Sequence, residues 1–297
     1  MTKAEKLRRL LASPGIKTMP CCFDALSAKL IEQAGFPLTF MSGFATAAAR
    51  LALPDTGLIS YGEMLDQGRN ICEAVSIPVL GDGDTGYGNA MNVKRTVRGY
   101  ARAGFAAIMI EDQLAPKRCG HTRGKDVVER GEALLRIRAA VDARDELRQN
   151  DEGDILILAR TDARHTMGLD EALQRARDFA AIGADILFVE APENRAEMER
   201  ITREAPGIHM ANIVEGGKTP PLTPRALEEI GYNFVAYPLT LLSAAIRAMN
   251  QAMNDLSAGR NAENILDFAD LRRIVGFEDY YAEEERYHGG TPAGKKA

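Results

Sequence analysis

Two aspartates separated by one glycine, Asp82 and Asp84, lie in the segment GDGDTGYGN (81–89). Carboxylates at this spacing, at the end of a predicted strand, can face one cation, and the glycines allow tight turns close to a ligand. Oxygen ligands with no nearby histidine favour Mg²⁺ or Mn²⁺ over zinc. Asp55 and Glu111 add carboxylates that would act on this metal through water. The alternative is a glycine-rich turn whose aspartates only cap it, and the spacing alone leaves that alternative open.

A cysteine surrounded by basic residues, Cys119, lies in the segment KRCGHTRGK (117–125). Positive neighbours favour the reactive thiolate and proton exchange. The charged, glycine-rich segment predicts a mobile loop that closes over a substrate. The alternative is a solvated basic loop with an incidental cysteine. Cys21, Cys22 and Cys72 have apolar neighbours and are predicted to be packing residues.

The elements that must position these residues are short apolar runs that alternate with longer amphipathic segments. The runs are rich in Val, Ile, Leu, Phe and Met, as in parallel strands buried on both faces. They cover residues 18–23, 38–43, 77–82, 106–112, 155–161, 185–190, 208–213 and 233–238. Eight strand–helix units within about 250 residues predict an α/β fold of the (β/α)8 TIM-barrel type. A doubly wound open sheet is the alternative, disfavoured because no G-x-G-x-x-G follows the first strand.

Nearly every predicted strand ends in a residue with chemistry. Active sites of these barrels lie at the carboxyl ends of the strands, and a charge beside a buried run is costly unless it is paired or metal-bound. The ends carry Ser42, Gly43, Asp82, Asp84, Glu111, Asp112, Arg160, Thr161, Asp162, Glu190, Asn212 and Tyr237. They predict a polar site at one rim, with a helix N-cap as the alternative role for Asp162.

The net charge, hydropathy and cysteine content of the chain exclude several classes of protein. The chain of 297 residues has a net charge of −5 and no basic cluster with interleaved aromatics, which argues against nucleic-acid binding. No window approaches the roughly 18 apolar residues of a membrane span, and the N-terminus lacks the apolar core of a secretory signal. The four cysteines form no C-x-x-C pair. We therefore expect a cytoplasmic protein with reduced thiols and no membrane or nucleic-acid partner.

The C-terminal residues lie outside the eight-unit count. Residues ~260–288 are predicted to be helical, with one apolar side formed by Ile265, Leu266, Phe268, Leu271 and Ile274. This side must pack on the barrel or on a partner subunit, and residues 289–297 are predicted to be disordered. Residues 1–297 would then form a single barrel domain that carries a helical oligomerisation tail.

Six segments together resemble the isocitrate lyase/phosphoenolpyruvate mutase superfamily, over residues ~5 to ~280. They are SGFATAAARLALPDTG (42–57), GDGDTGYGN (81–89), IEDQLAPKRCGHTRGK (110–125), ARTDA (159–163), VEAP (189–192) and ANIVEGGKTP (211–220). Within the superfamily, the chain is more similar to the group of 2,3-dimethylmalate lyase, petal death protein, oxaloacetase and 2-methylisocitrate lyase. The phosphonate-processing mutases and oxaloacetate decarboxylases lack the cysteine of the KRCGH motif, which is far more specific than the D-x-D spacing alone.

The resemblance implies a role for each candidate residue. Asp82 and Asp84 would hold Mg²⁺, with Asp55 and Glu111 acting through water. Binding of the substrate's 2-oxo-acid carboxylate would fall to Ser42, Gly43 and Phe44. The pocket would be completed by Arg160, paired with a carboxylate or the reacting oxygen, and by Glu190 and Asn212. Cys119, Gly120 and His121 would lie on the gating loop.

The activity implied by the resemblance is a Mg²⁺-dependent carbon–carbon lyase. It would cleave a small 2-hydroxy dicarboxylic acid, of the 2-alkylmalate or 2,3-dimethylmalate type, to a 2-oxo acid and a carboxylate. The metal would stabilise the negative charge as the bond breaks, and Cys119 would protonate the carbon as general acid. Arg160, Glu111 and His121 are the further catalytic candidates. The superfamily also implies a homotetramer, a dimer of helix-swapped dimers.

Departures from the superfamily pattern narrow the substrate but leave alternatives open. Val214 occupies the place where methylisocitrate and isocitrate lyases are expected to carry Thr or Ser, and Phe44 replaces a usual small glycine. Thr240 lies where members differ in their preference for oxaloacetate or substituted malates. Oxaloacetate hydrolysis to oxalate and acetate and 2-methylisocitrate cleavage remain alternatives. Phosphorus–carbon chemistry is disfavoured by Cys119, and a non-catalytic binding protein would leave the strand-end residues unexplained.

Overall fold

Eight strands follow the apolar runs of the sequence in the computed structural model, which describes residues 1–120, 124 and 126–287. Branched and long apolar side chains on both faces suit strands enclosed by side chains on one side and helices on the other. The strands are β1 (Lys17–Cys22), β2 (Thr39–Met41), β3 (Val79–Asp82), β4 (Ala107–Glu111), β5 (Leu156–Thr161), β6 (Ile186–Val189), β7 (Met210–Asn212) and β8 (Phe234–Tyr237).

All the ladders between these strands are parallel, in the order β6-β5-β4-β3-β2-β1-β8-β7. A single parallel bridge between Leu187 and His209 joins the two outer strands, so the sheet forms a nearly closed barrel. The predicted TIM-type barrel is therefore confirmed, and the open doubly wound alternative is wrong.

Helices connect and cover the strands because each amphipathic segment buries its apolar side against the sheet. They are α1 (Lys3–Ala12), α2 (Ala25–Gln33), α3 (Gly43–Leu51), α4 (Tyr61–Ala74), α5 (Ala90–Arg102), α6 (Arg130–Gln149), α7 (Ala163–Met167), α8 (Leu169–Ile182), α9 (Arg195–Glu204), α10 (Pro224–Ile230), α11 (Thr240–Ser257), α12 (Phe268–Val275) and α13 (Phe277–Tyr287). Their ends follow local chemistry: Ser60 and Glu63 form a capping box at α4, and Gly183 ends α8 in the left-handed conformation.

Alternation along each strand decides which side chains reach the site, because successive residues point to opposite faces. In β5, Leu156 and Leu158 belong to the cluster that fills the barrel, whereas Ile157 and Ala159 pack in the layer of helices. The inward series continues to Arg160, at the carboxyl end. The same period brings Asp82, Glu111, Glu190 and Asn212 inward at the ends of their own strands.

The chain forms two compact units, the first at residues 1–243 and the second beginning at Ala244. In the described part of the second unit, α12 and α13 contain no buried residue. The predicted single-domain organisation and its oligomerisation tail stay predictions, and the predicted disordered end at 289–297 lies outside the described residues. None of the described helices combines the length and apolar character needed to cross a membrane.

Candidate active site

One cavity opens at the carboxyl ends of the strands in the first unit. Its polar walls are formed by Ser42, Asp55, Asp82, Lys117, Cys119, Arg160, Glu190 and Asn212. Its apolar walls include Phe40, Phe44, Met109, Phe188, Met210, Val214 and Leu239. Most of the residues singled out in the sequence therefore lie together, although they come from segments far apart in the chain.

Two buried carboxylates, Asp55 in the cavity wall and Asp84 outside the lining, pair with a buried lysine. Lys117 Nζ lies 2.5 Å from Asp55 Oδ1 and 2.7 Å from Asp84 Oδ1. Burial raises the pKa of Asp84 to about 6, with Lys117 opposing the shift and Asp82 and Asp55 adding to it. Burial alone would lower the pKa of Lys117, but Asp84, Asp82 and Asp55 raise it well above its ordinary value. The ammonium is thus held in its charged form by the carboxylates.

Asp82 and Asp84 are connected within a tight turn. Asp82 Oδ1 accepts a hydrogen bond from the backbone N–H of Asp84 at 3.0 Å, and Asp84 adopts a positive φ of 49°. The Tyr100 hydroxyl donates to the Asp82 carbonyl at 2.7 Å. Gly43 approaches so closely that a Cβ there would lie 3.0 Å from Asp82 Cγ. The aspartates therefore have a structural role in the turn, and the buried Asp84 Oδ1 still faces the lysine.

Arg160 is held by acidic side chains beneath the cavity. Its Nε lies 2.7 Å from Asp162 Oδ2 and 3.3 Å from Glu111 Oε2. Burial alone would lower the pKa of Arg160, but Asp162, Glu190 and Glu111 raise it well above its ordinary value. Burial raises the pKa of Glu111. Asp162 precedes α7, but its side chain makes no cap hydrogen bond. The N-cap alternative for this side chain is wrong because both of its oxygens bind Arg160.

Cys119 and Gly120 border the cavity beside Arg160 and Glu190. A Cβ at Gly120 would lie 2.5 Å from Arg160 Nη2 and 2.6 Å from Glu190 Cγ, so only glycine fits this approach. His121 lies outside the described residues, as does most of the predicted mobile loop beyond Gly120. Their catalytic and gating roles stay predictions.

The substrate-binding candidates occupy different positions relative to the cavity. Ser42 is the N-cap of α3 and accepts the Ala45 N–H, so the start of this helix faces the cavity with Gly43 and Phe44. Asn212 lies at the end of β7 and also lines the cavity. Thr240 begins α11 outside the lining and donates its hydroxyl to Glu215. Helix N-termini favour anions, which suits a carboxylate at α3.

The carboxylate oxygens of Asp55, Asp84 and Glu111 are ligands of the type that hard divalent cations prefer. Apart from Lys117, no described group donates to the buried Asp55 Oδ1 or Asp84 Oδ1, and Glu111 Oε1 is buried without a described hydrogen-bond partner. Such oxygens are costly unless a cation compensates them. Among the described residues, no three Asp, Glu, His or Cys side chains are spaced to ligate one ion.

Sequence reasoning missed two residues that line the cavity. Lys117 appeared only as a neighbour of Cys119, and its side chain instead reaches Asp55 and Asp84. Cys21 was predicted to be a packing residue, and it also lines the cavity. The period of two along β1 could have placed Cys21 inward, after Met19.

The fold and site define a (β/α)8-barrel protein with an acidic pocket that also presents an arginine and a thiol. The family described as phosphoenolpyruvate phosphomutase matches residues 7–257, and the chain belongs to this phosphoenolpyruvate mutase/isocitrate lyase superfamily of lyases and mutases. The sequence is 41% identical to 2,3-dimethylmalate lyase of Eubacterium barkeri over 294 residues, covering 98% of this chain and 100% of that protein.

Two solved structures extend the similarity to the whole fold. Oxaloacetate acetylhydrolase in complex with the inhibitor 3,3-difluorooxalacetate aligns with a TM-score of 0.92 and 32% identity, covering 98% of each chain. Phosphonopyruvate hydrolase in complex with oxalate and Mg²⁺ aligns with a TM-score of 0.84 and 29% identity, covering 97% of this chain and 99% of the other.

Proposed function

We propose that the protein is a Mg²⁺-dependent lyase that cleaves the C2–C3 bond of a 2-alkylmalate or 2,3-dimethylmalate. The observation that carries this proposal is the composition of one cavity. Asp82, Arg160 and the Cys119 thiol border the same space, and the remaining wall is largely apolar. A small dicarboxylate with alkyl substituents matches both parts of this lining.

The apolar wall favours alkyl groups over a further carboxylate. Phe44, Val214 and Leu239 line the cavity and offer no side-chain donor. A carboxylate desolvated against them would lose its hydrogen bonds with water, which is costly. Similarity to 2,3-dimethylmalate lyase over nearly the whole chain supports the same substrate class.

For the metal, we propose Asp82 and Asp84 as direct ligands of Mg²⁺, or of Mn²⁺, with Asp55 and Glu111 acting through water. The buried oxygens of Asp55, Asp84 and Glu111 and the similarity to a hydrolase in complex with oxalate and Mg²⁺ support this assignment. When bound, the ion supplies positive charge that favours negative charge developing on the 2-hydroxy acid.

The chain's own residues would then carry the protons. Glu111, beside Arg160, accepts the proton of the substrate's 2-hydroxyl group as C2 becomes a carbonyl. The electron pair of the breaking bond passes to C3, where the Cys119 thiol delivers a proton. The proton on Glu111 later returns through solvent to the thiolate. Arg160 and the start of α3 would orient the carboxylates, and Gly120 permits this close packing.

The proposal is tested by assaying purified protein with Mg²⁺ on 2,3-dimethylmalate, 2-methylmalate, oxaloacetate, 2-methylisocitrate and phosphonopyruvate. We expect a 2-oxo acid and a carboxylate from the substituted malates, and loss of turnover when EDTA removes the metal. Turnover of phosphonopyruvate alone would contradict the lyase assignment.

Oxaloacetate hydrolysis is the second candidate because the fold superposes on oxaloacetate acetylhydrolase over 98% of the chain. The hydrated ketone carries a hydroxyl at C2, so cleavage of the same bond gives oxalate and acetate. A kcat/KM for oxaloacetate well above that for every substituted malate would favour this second function.

We further propose that the protein assembles as a homotetramer through its C-terminal helices. The described second unit presents large exposed side chains, with Phe268 73% and Tyr280 62% accessible. Apolar surface of this kind often marks an interface. Light scattering coupled to size-exclusion chromatography should give four times the chain mass, and a monomer would contradict the proposal.

A further inference from the structure

The ion pairs of Lys117 connect two buried carboxylates, Asp55 in the cavity wall and Asp84 outside the lining, that no other described group neutralises. The ammonium lies 2.5 Å from Asp55 and 2.7 Å from Asp84, and all three side chains are at most 6% exposed. Both contacts are ion pairs, and such charge-assisted contacts are stronger than those between neutral groups. Lys117 therefore occupies the space that an ion bound directly to Asp84, and through water to Asp55, would need.

Neutralising buried carboxylates is required whether or not a metal is bound. Charged groups that are buried away from water are stable only when they are paired. Removing one partner leaves the other charge uncompensated. An ammonium and a hydrated divalent cation cannot both occupy this space, because they would overlap and repel each other. The two cations are thus alternatives.

The backbone beside Lys117 is fixed by contacts of its own. The Gln113 side chain accepts the Arg118 N–H and donates to the Arg118 carbonyl, each at 2.8 Å. On the other side of this segment, a Cβ built on Gly57 would lie 3.4 Å from the backbone nitrogen of Lys117. Withdrawal of the ammonium therefore needs only rotation of the flexible lysine side chain.

We infer that Lys117 is a tethered cation that competes with the divalent metal for the space between Asp55 and Asp84 in the substrate-free protein. This inference rests on the metal site of the proposed function. Metal binds only when the ammonium has withdrawn, so its apparent affinity is reduced by the fraction of molecules in which the oxygens are free. If that fraction is about 0.1 or less, removing the ammonium tightens metal binding about tenfold or more.

The first test measures metal affinity in the full-length, EDTA-stripped protein. Free Mn²⁺ is followed by electron paramagnetic resonance in wild type, Lys117→Met and Arg118→Met. Met keeps the length of the lysine and removes its charge, and Arg118 is an exposed neighbour without an ion pair to Asp55 or Asp84 among the described contacts. We expect Kd to fall about tenfold in Lys117→Met and to stay unchanged in Arg118→Met.

The outcomes separate the competition from the metal site itself. Equal or weaker Mn²⁺ binding by Lys117→Met than by wild type would overturn the competition and leave the site intact. Failure of both proteins to bind Mn²⁺ would overturn the proposed site and the inference with it. A parallel fall of Kd in Arg118→Met would show a general charge effect and also reject the specific competition.

A second measurement uses wild type alone, in case the buried carboxylates prevent Lys117→Met from folding. An amine-selective acylating reagent is applied with and without Mg²⁺, and modification is quantified by peptide mass spectrometry. Labelling of Lys117 should rise when Mg²⁺ displaces it, whereas Lys29 on α2 serves as the internal reference. Unchanged or reduced labelling of Lys117 relative to Lys29 would overturn the inference.

Discussion

Asp112 Oδ2 lies 3.0 Å from Nη1 of Arg175, and both side chains are almost completely buried. β4 turns Glu111 towards the cavity and the next residue, Asp112, towards α8. Asp112 also accepts the Thr161 hydroxyl at 2.6 Å and the Asp162 N–H at 2.8 Å. Because Asp162 holds Arg160, this outer network orients the arginine of the site.

Replacing Arg175 with Met should therefore destabilise the protein by about 3–5 kcal/mol, because Asp112 would stay buried without its cation. Arg177→Met is the matched control on the same helix. Arg177 is hydrogen-bonded to Gln174 at 2.9 Å, and its loss should cost no more than about 0.5 kcal/mol. Denaturant unfolding of both variants measures the difference, and equal stability would contradict the role of this network.

The barrel was predictable because strands enclosed on both faces leave long apolar runs, as at 155–161 around β5. The convergence of Asp82, Arg160 and Glu190 was also predictable, since parallel strands end at one rim. The contacts of Lys117 were not, because they depend on how the segment from Gln113 folds back over the strand ends. Sequence spacing contains no information on that tertiary path.

The thiol prediction concerns Cys119. Cys119→Ser should lower turnover by at least about 100-fold, because a serine hydroxyl is a much weaker acid at this position. Mn²⁺ affinity should stay at the wild-type value. Cys72→Ala is the control, since Cys72 is buried on α4 outside the cavity lining. Steady-state kinetics on the substrate identified by the screen measures both, and near-wild-type turnover of Cys119→Ser would remove its role as the acid.

Gly120 should tolerate no side chain. In Gly120→Ala the new methyl group would meet Glu190 and Arg160, so we expect kcat to fall by about tenfold or more as these groups shift. Gly131→Ala, in the first turn of α6, has no neighbour within 4 Å of its new Cβ and should leave kcat unchanged. If kcat of Gly120→Ala matched that of Gly131→Ala, the close approach would have no catalytic consequence.

His209 should make the stability fall at acidic pH. Burial lowers its pKa below the ordinary 6.5, with the Ala205 carbonyl, 2.8 Å from Nε2, opposing the shift. As pH falls below 6.5, the unfolded chain binds a proton at this histidine before the native protein does, so the native state loses stability.

In His209→Gln an amide can still donate to Ala205 without titrating. Thermal unfolding between about pH 8 and about pH 5 should show a shallower fall of Tm for this variant than for wild type. Parallel Tm profiles would show that the titration of His209 does not contribute.

Val214 should control discrimination against a third carboxylate. A threonine at this point of the cavity wall would offer a hydroxyl donor, and a hydrogen bond to a charged group contributes about 1.5–3 kcal/mol. We therefore expect Val214→Thr to raise kcat/KM for 2-methylisocitrate, relative to 2,3-dimethylmalate, by about tenfold or more. Val214→Ala separates hydrogen bonding from added space, since it enlarges the cavity without a donor. An equal shift in the alanine variant would assign the discrimination to size, whereas a shift confined to threonine assigns it to the missing hydroxyl.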